Sequence, residues 1–143
     1  MLKRLLRRLV SSRDGSVLLE TALMITILLV LMFGIIDLGR ALFTANNLVS
    51  AAREGARWGA VDADMPTDLD SVKIITMAHF SPFGGPALTA ANIQATAQPD
   101  AANATSVRVR ISYPFRWITP IQRFVGSMRD SLHAQAEYRW ENY

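Results

Sequence analysis

Few side chains in this chain have types and spacing that could do chemistry. There are two histidines, His79 and His133, and no cysteine. That leaves little for a metal centre or a nucleophile–base pair. Neither histidine has a helical i,i+4 partner or a metal-type signature, so a structural role is the better reading of each. Asp62, Asp64, Asp68 and Asp70 crowd a short stretch that could hold Ca²⁺. They lack the Gly and the distal Glu of an EF-hand loop, and helix capping explains them more simply. No Gly-x-Ser-x-Gly, Walker or dinucleotide fingerprint occurs. The expectation is a chain without cofactor, metal or catalytic residues, and so not an enzyme. One side chain is out of place. Glu20 lies inside the apolar run SVLLETALMITILLVLMFGII, residues 16–36, and is the fifth residue after Gly15. A carboxylate at the centre of a membrane-crossing helix costs roughly 2.5–3.5 kcal/mol on insertion scales, and less near an end. Either Glu20 snorkels at the headgroup boundary or its carboxylate meets a specific cation.

The element that must position Glu20 is a helix. The 21 residues 16–36 make about 31 Å of helix, enough to cross a hydrocarbon layer. The run exceeds the 7–15 apolar residues of a cleaved secretory signal. Charge supplies the orientation. Residues 1–15 carry Lys3, Arg4, Arg7, Arg8 and Arg13 against Asp14, so this leader holds all of the excess behind the net charge of +3. A basic block directly before an apolar span keeps the N-terminus in the cytoplasm and sends the downstream chain across. Nucleic acid is not an expected partner, because phosphate binding needs a basic face on the folded domain. Half of the residues are apolar, which excludes intrinsic disorder.

Nothing stops the helix at Ile36. Residues 37–61 contain no Pro, and apolar or small residues recur at steps of three and four from Leu38 to Gly59. One helix is expected from about Val17 to Ala60, half in the membrane and half an amphipathic stalk. Asp37 and Arg40 can pair on its surface, as can Glu54 and Arg57. Small residues at Ala41/Ala45, Ala52/Ala56 and Gly55/Gly59 let another backbone come close. Packing onto the chain's own head is preferred over an intermolecular seam. Gly34 and Gly39 weaken the helix near the outer interface by up to about 1 kcal/mol each relative to Ala.

A basic leader, then Gly15, then an apolar helix with Glu20 at its fifth position resembles the processing site of type IV pilin precursors. The resemblance implies a prepilin peptidase that cuts between Gly15 and Ser16 and leaves the apolar helix on the mature protein. It also gives Glu20 a cation, the new α-amino group of a neighbouring subunit. Pilins often carry an aromatic residue after the Glu, where this chain has Thr21. GSVLLETAL, GIIDLGRALF and NNLVSAAREGARWGA together resemble the TadE-like family, minor pilins or pseudopilins of the tight-adherence (Tad) pilus machinery. Asp37, Gly39, Arg40, Arg53, Glu54, Gly55 and Arg57 carry that likeness, and AAREGAR, residues 51–57, is its most specific part. Family members often have Pro inside the apolar run, where Met24 and Ile25 stand here. The resemblance implies a location in the bacterial inner membrane, with other pilin subunits, the assembly platform and membrane lipid as partners.

The remaining residues, 62–143, are expected to form an extracytoplasmic α+β head on the stalk. Asp62, Asp64 and Pro66 end the long helix. Thr67 or Asp68 caps a second helix over about 68–80, with Leu69, Val72, Ile74, Ile75, Met77 and Phe80 on its apolar face. Three segments alternate with period two: Ile93 to Ala97, Val107 to Tyr113, and Leu132 to Trp140. They predict a small antiparallel sheet with one face on the helices. Residues 119–128 are expected to form a short helix, 87–106 a surface loop, and Arg108 and Arg110 a solvated strand face. Tyr113, Phe115, Trp117, Tyr138, Trp140 and Tyr143 supply the aromatic mass, and most of them are expected in core or interface. Two other readings stay open. An uncleaved signal-anchored protein whose head binds an envelope partner accounts for the leader and the apolar run. It does not account for Glu20 at the fifth position. A membrane-tethered enzyme would need a cluster of Asp, His and Arg in the head.

Overall fold

A computed structural model describes residues 13–61, 68–99, 105–119 and 131–139. The basic residues Lys3, Arg4, Arg7 and Arg8, the Asp62/Asp64/Pro66 helix stop, Thr67, residues 120–128 of the expected short helix, Trp140 and Tyr143 lie outside the described residues. Two α-helices, α1 (Arg13–Val61) and α2 (Leu69–Ala78), precede a 3-10 turn (Ala90–Asn92) and three strands, β1 (Ile93–Pro99), β2 (Thr105–Pro114) and β3 (Ser131–Arg139). The architecture is α+β, as the patterning predicts.

The 49 residues of α1 span about 74 Å. It starts ahead of the expected Val17, so Gly15 and Ser16 are helical. No Pro interrupts it, and it runs through both Gly34 and Gly39. Its two halves differ in burial. From Ser16 to Ile36 every residue is exposed except half-buried Gly34. From Asp37 onward a buried stripe follows helical spacing through Ala41, Thr44, Leu48, Ala52 and Ala56. The two threonines of the exposed half, Thr21 and Thr26, each donate a 2.8 Å hydrogen bond to the carbonyl four residues back, at Val17 and Ala22. Their hydroxyls therefore bring no unsatisfied donor into an apolar medium.

The sheet has the order β1-β2-β3, antiparallel throughout, with Ile93 opposite Ile111 and Ile111 opposite Ala134. Alternation sends Val107, Val109, Ile111 and Tyr113 to one buried face. The stalk half of α1 lies against β2 and β3, and α2 packs between α1 and β1. Leu48, Ala51, Ala52 and Ala56 meet Val72, Phe80 and the inner face of the sheet in one core. The stripe of small residues thus packs mainly on the chain's own head. Gly55 is required there, because a Cβ would sit 3.3 Å from the Val72 carbonyl oxygen and collide with the Thr76 hydroxyl.

Several details differ from the expectations. Ile74 is 58% exposed and Thr76 is buried in its stead. Val72 and Thr76 are four apart and share the inward face of α2, whereas Ile74 points away. Thr76 tolerates burial because its hydroxyl bonds the Val72 carbonyl at 2.7 Å. Within 87–106, the expected strand at Ile93 to Ala97 forms as β1, preceded by a 3-10 turn, so the surface loop does not extend over 90–99. Arg108 is not simply solvated: it pairs across the strands with Glu137 at 2.7 Å. Tyr138 is exposed. Asp68 is the N-cap of α2, accepting from the Ser71 amide at 3.1 Å. The Ser71 hydroxyl and amide hold the Asp68 carboxyl below its ordinary value.

Candidate functional site

The residues singled out in the sequence occupy three stations on one rod. Gly15, Ser16 and Glu20 lie within the first described turns of α1, where Ser16 and Glu20 are exposed at i,i+4 spacing. Asp37 follows about 26 Å beyond Glu20 along the axis, with Gly39 and Arg40 just after it, and Gly55 lies about 27 Å beyond Asp37, among Arg53, Glu54 and Arg57. The structure does not gather them into one pocket. Among the described residues, no group of three or more His, Asp or Glu could hold a metal ion.

The first station is a surface rather than a cleft. Fifteen large apolar side chains between Val17 and Ile36 are exposed. Only 6% of the most apolar window of α1 is buried inside the molecule, which separates this helix from the core helix of a soluble protein. At about 1.5–3 kcal/mol for each large apolar side chain, leaving them in water would cost on the order of 20 kcal/mol or more. The helix therefore belongs in lipid or against other apolar helices, and it is long and apolar enough to anchor the chain in a membrane. Glu20 is exposed on this surface.

The second station is a polar knot that the sequence showed only in part. Asp37 and Arg40 pair as expected, with Nη1 3.2 Å from Oδ1. The pair is no surface decoration, because Asp37 is 1% exposed. Its carboxylate accepts the Ile118 amide at 3.1 Å on both oxygens, the Thr119 amide at 2.9 Å and the Thr119 hydroxyl at 2.6 Å. Burial pushes the Asp37 carboxyl up, but the Thr119 hydroxyl, the two amides and Arg40 outweigh it and hold the group below its ordinary value. Arg40 extends the knot. Its guanidinium donates to the carbonyls of Arg116 and Gly84, each at 3.4 Å, and lies 5.4 Å from the Phe115 ring centroid. Two turns of helix immediately after the apolar run thus hold two loops of the head, residues 81–86 and 115–119. Phe115 is buried, as expected of the aromatic residues, but Ile118, Thr119 and Gly84 are not found from sequence because they lie some 44 to 82 positions away, where no local periodicity connects them to α1. Gly39 faces open space and takes no part.

The third station is mixed. Glu54 and Arg57 form the expected pair, with Nε 3.0 Å from Oε2, and this contact holds the Glu54 carboxyl below its ordinary value. Arg53 is exposed, whereas Gly55 is buried against α2. The AAREGAR segment is therefore a packing element with a charged outer edge. His79 closes α2 with its ring Nδ1 3.0 Å from the Ile75 carbonyl, and exposed His133 lies 3.1 Å from the Ser131 hydroxyl.

Residues 15–57 match the family model described as TadE-like protein. The match runs from Gly15 to Arg57 and takes in all three stations. It bears out the resemblance read from GSVLLETAL, GIIDLGRALF and AAREGAR, and it ends before the head. No curated protein and no solved structure matches the chain at a significant level.

Proposed function

We propose, from the TadE-like match over the apolar helix and stalk, that this chain is a minor pilin or pseudopilin of a Tad-type pilus. The precursor sits in the bacterial inner membrane with its basic leader in the cytoplasm. A prepilin peptidase cuts between Gly15 and Ser16. The mature subunit, beginning at Ser16, then joins other pilin subunits through the assembly platform. This is a structural role rather than a catalytic one. The observation that carries it is the exposed helix 16–36 with one acid, Glu20, five residues after Gly15 inside the matched segment.

The physical steps follow from the residues. Gly15 lies in helix, so a peptidase must open that turn to reach the bond. Gly lowers the cost of doing so by about 1 kcal/mol relative to Ala. Cutting creates a positive α-amino group at Ser16. In an apolar medium a carboxylate is costly until paired with a cation. Glu20 therefore favours a register in which the amine of a neighbouring subunit lies beside it. Extraction from lipid becomes feasible when other apolar helices cover the same fifteen side chains. The head, tied to the helix at Asp37, travels with it.

The test is the mass and N-terminal sequence of the protein extracted from membranes of a host that carries the peptidase. The expected product begins at Ser16, and Gly15→Ala leaves the leader attached. A chain still carrying residues 1–15 in that host, unaffected by Gly15→Ala, would refute processing and leave an uncleaved anchor. Glu20→Ala is expected to insert normally and to be lost from assembled fibres. Normal incorporation of that variant would remove Glu20 from the mechanism.

A further inference from the structure

The apolar surface of this molecule does not stop where the spanning segment stops. Asp37 is the first residue after that segment, and its carboxylate grips the Ile118 and Thr119 amides. The 115–119 turn is thereby fixed at the height of the membrane boundary. Arg40, one turn further, holds the Gly84 carbonyl, and the Phe83 ring packs edge-on against Phe43 with centroids 5.4 Å apart. Ile118 is 64% exposed and Phe83 59%. Leu38, Leu42 and Phe43, on the same two turns of α1, are exposed as well. Five large apolar side chains from three separate stretches of chain are therefore largely exposed at the base of the head, among the described residues.

Their height identifies what covers them. The hydrocarbon layer is about 30 Å thick and the whole bilayer about 40–45 Å, so each headgroup zone is roughly 5–7 Å deep. Residues 37–43 rise about 9 Å, and helix side chains lean toward the N-terminus, here toward the membrane. Ile118, Phe83 and Phe43 thus fall within or against that zone. Arg116, in the same turn, is exposed, and its carbonyl accepts from Arg40, one turn beyond Asp37. Apolar and aromatic side chains with an arginine at the rim are the chemistry of a lipid interface. We infer that the 81–86 and 115–119 loops are seated in the outer headgroup layer of the bilayer that α1 spans. Ile118 and Phe83 enter the acyl boundary, and the head stands on the membrane at a set orientation. This rests on α1 spanning the bilayer but not on cleavage or pilus assembly.

The chain has no cysteine, so single substitutions can be spin-labelled without background. The full chain is placed in vesicles of phosphatidylethanolamine with about a quarter phosphatidylglycerol, labelled one site at a time at Ile118→Cys, Phe83→Cys, Ile74→Cys and Leu28→Cys. Ile74 is the aqueous reference, since α2 packs at Gly55, about 27 Å beyond Asp37 along the helix. Leu28 reports whether the helix spans. Collision of the 118 and 83 labels with a water-soluble nickel chelate is expected to be several-fold lower than at 74, with oxygen collision higher, at every protein-to-lipid ratio. Labels at 118 and 83 as accessible to nickel as that at 74, with 28 deep in hydrocarbon, overturn this inference alone. Protection that disappears on dilution in lipid makes the cover a second copy of the chain and overturns it too. A label at 28 that is not in hydrocarbon sinks the spanning premise, and this inference with it.

Discussion

The sharpest consequence of the structure is at Asp37, where one carboxylate joins the helix to the head. Asp37→Ala removes the acceptor for the Ile118 amide, the Thr119 amide and the Thr119 hydroxyl, and leaves Arg40 without its 3.2 Å partner. A hydrogen bond to a charged group contributes about 1.5–3 kcal/mol net, and breaking a buried ion pair by deleting one member costs about 3–5 kcal/mol. These terms overlap, because the Thr119 hydroxyl and the Arg40 guanidinium can turn to other acceptors or to water. The two amides are held by their own backbone and cannot. A loss of about 3–4 kcal/mol is therefore expected for Asp37→Ala, close to the upper end for a single substitution. Asp37→Asn keeps an acceptor toward Ile118 and Thr119 but turns an amide donor toward Arg40, and should lose about half as much. Two measurements check this: urea unfolding of the head in detergent micelles, and hydrogen exchange at the Ile118 and Thr119 amides. Exchange at these two amides should quicken by more than the global change requires, because the 115–119 turn is released first. If Asp37→Ala costs under 1 kcal/mol and those amides remain protected, the carboxylate is not what fastens the head to α1.

The same group sets an acid limit. Its folded carboxyl is held below the ordinary value of about 3.8, so its contribution is complete above that pH and is lost as pH falls toward the lowered folded value. The stability gap between the parent chain and Asp37→Ala should be constant from pH 7 to about 5 and should narrow below about 4, read as the difference in urea midpoint. Gly39 and Gly55, two of the four glycines of the matched segment, should respond with opposite sign. Gly55→Ala meets Thr76 and the Val72 carbonyl and should cost about 1–3 kcal/mol, whereas Gly39→Ala enters open space inside a helix and should gain about 0.5–1 kcal/mol. Thermal unfolding of both variants checks the pair, and a combined Gly55→Ala/Thr76→Ala variant should recover part of the first loss. Leu48→Ala, at a fully buried position where α1 meets the sheet, should cost about 2–5 kcal/mol in the same unfolding assay.

Local information was enough for much of the fold. The apolar run 16–36, the three-and-four spacing through the stalk and the period-two alternation at Val107, Val109, Ile111 and Tyr113 are each patterns within a single helix or strand. Such patterns survive in one dimension because helix and strand geometry repeat along the chain. Where two local preferences competed, the sequence misled. Ile74 is as apolar as Val72, and only the direction from which α1 approaches decides that Thr76 goes inward and Ile74 outward. Arg108 looked like a solvated strand residue because its partner, Glu137, stands 29 positions away on the neighbouring strand.

What the sequence by itself determined is a greasy helix, its basic leader, one acid among its apolar residues and the likeness to TadE-like proteins, all properties of contiguous residues. What only the tertiary structure decided is the meaning of Asp37 and Arg40. As neighbours three apart they read as an ordinary helix-surface pair. Folding brings residues 84 and 115–119 onto them, and one buried carboxylate becomes the clasp between membrane helix and head. The physical reason is that an acid only 1% exposed must be met by donors. The donors that meet it are chiefly backbone amides, which every residue type except Pro carries and which therefore leave no mark in the order of the letters.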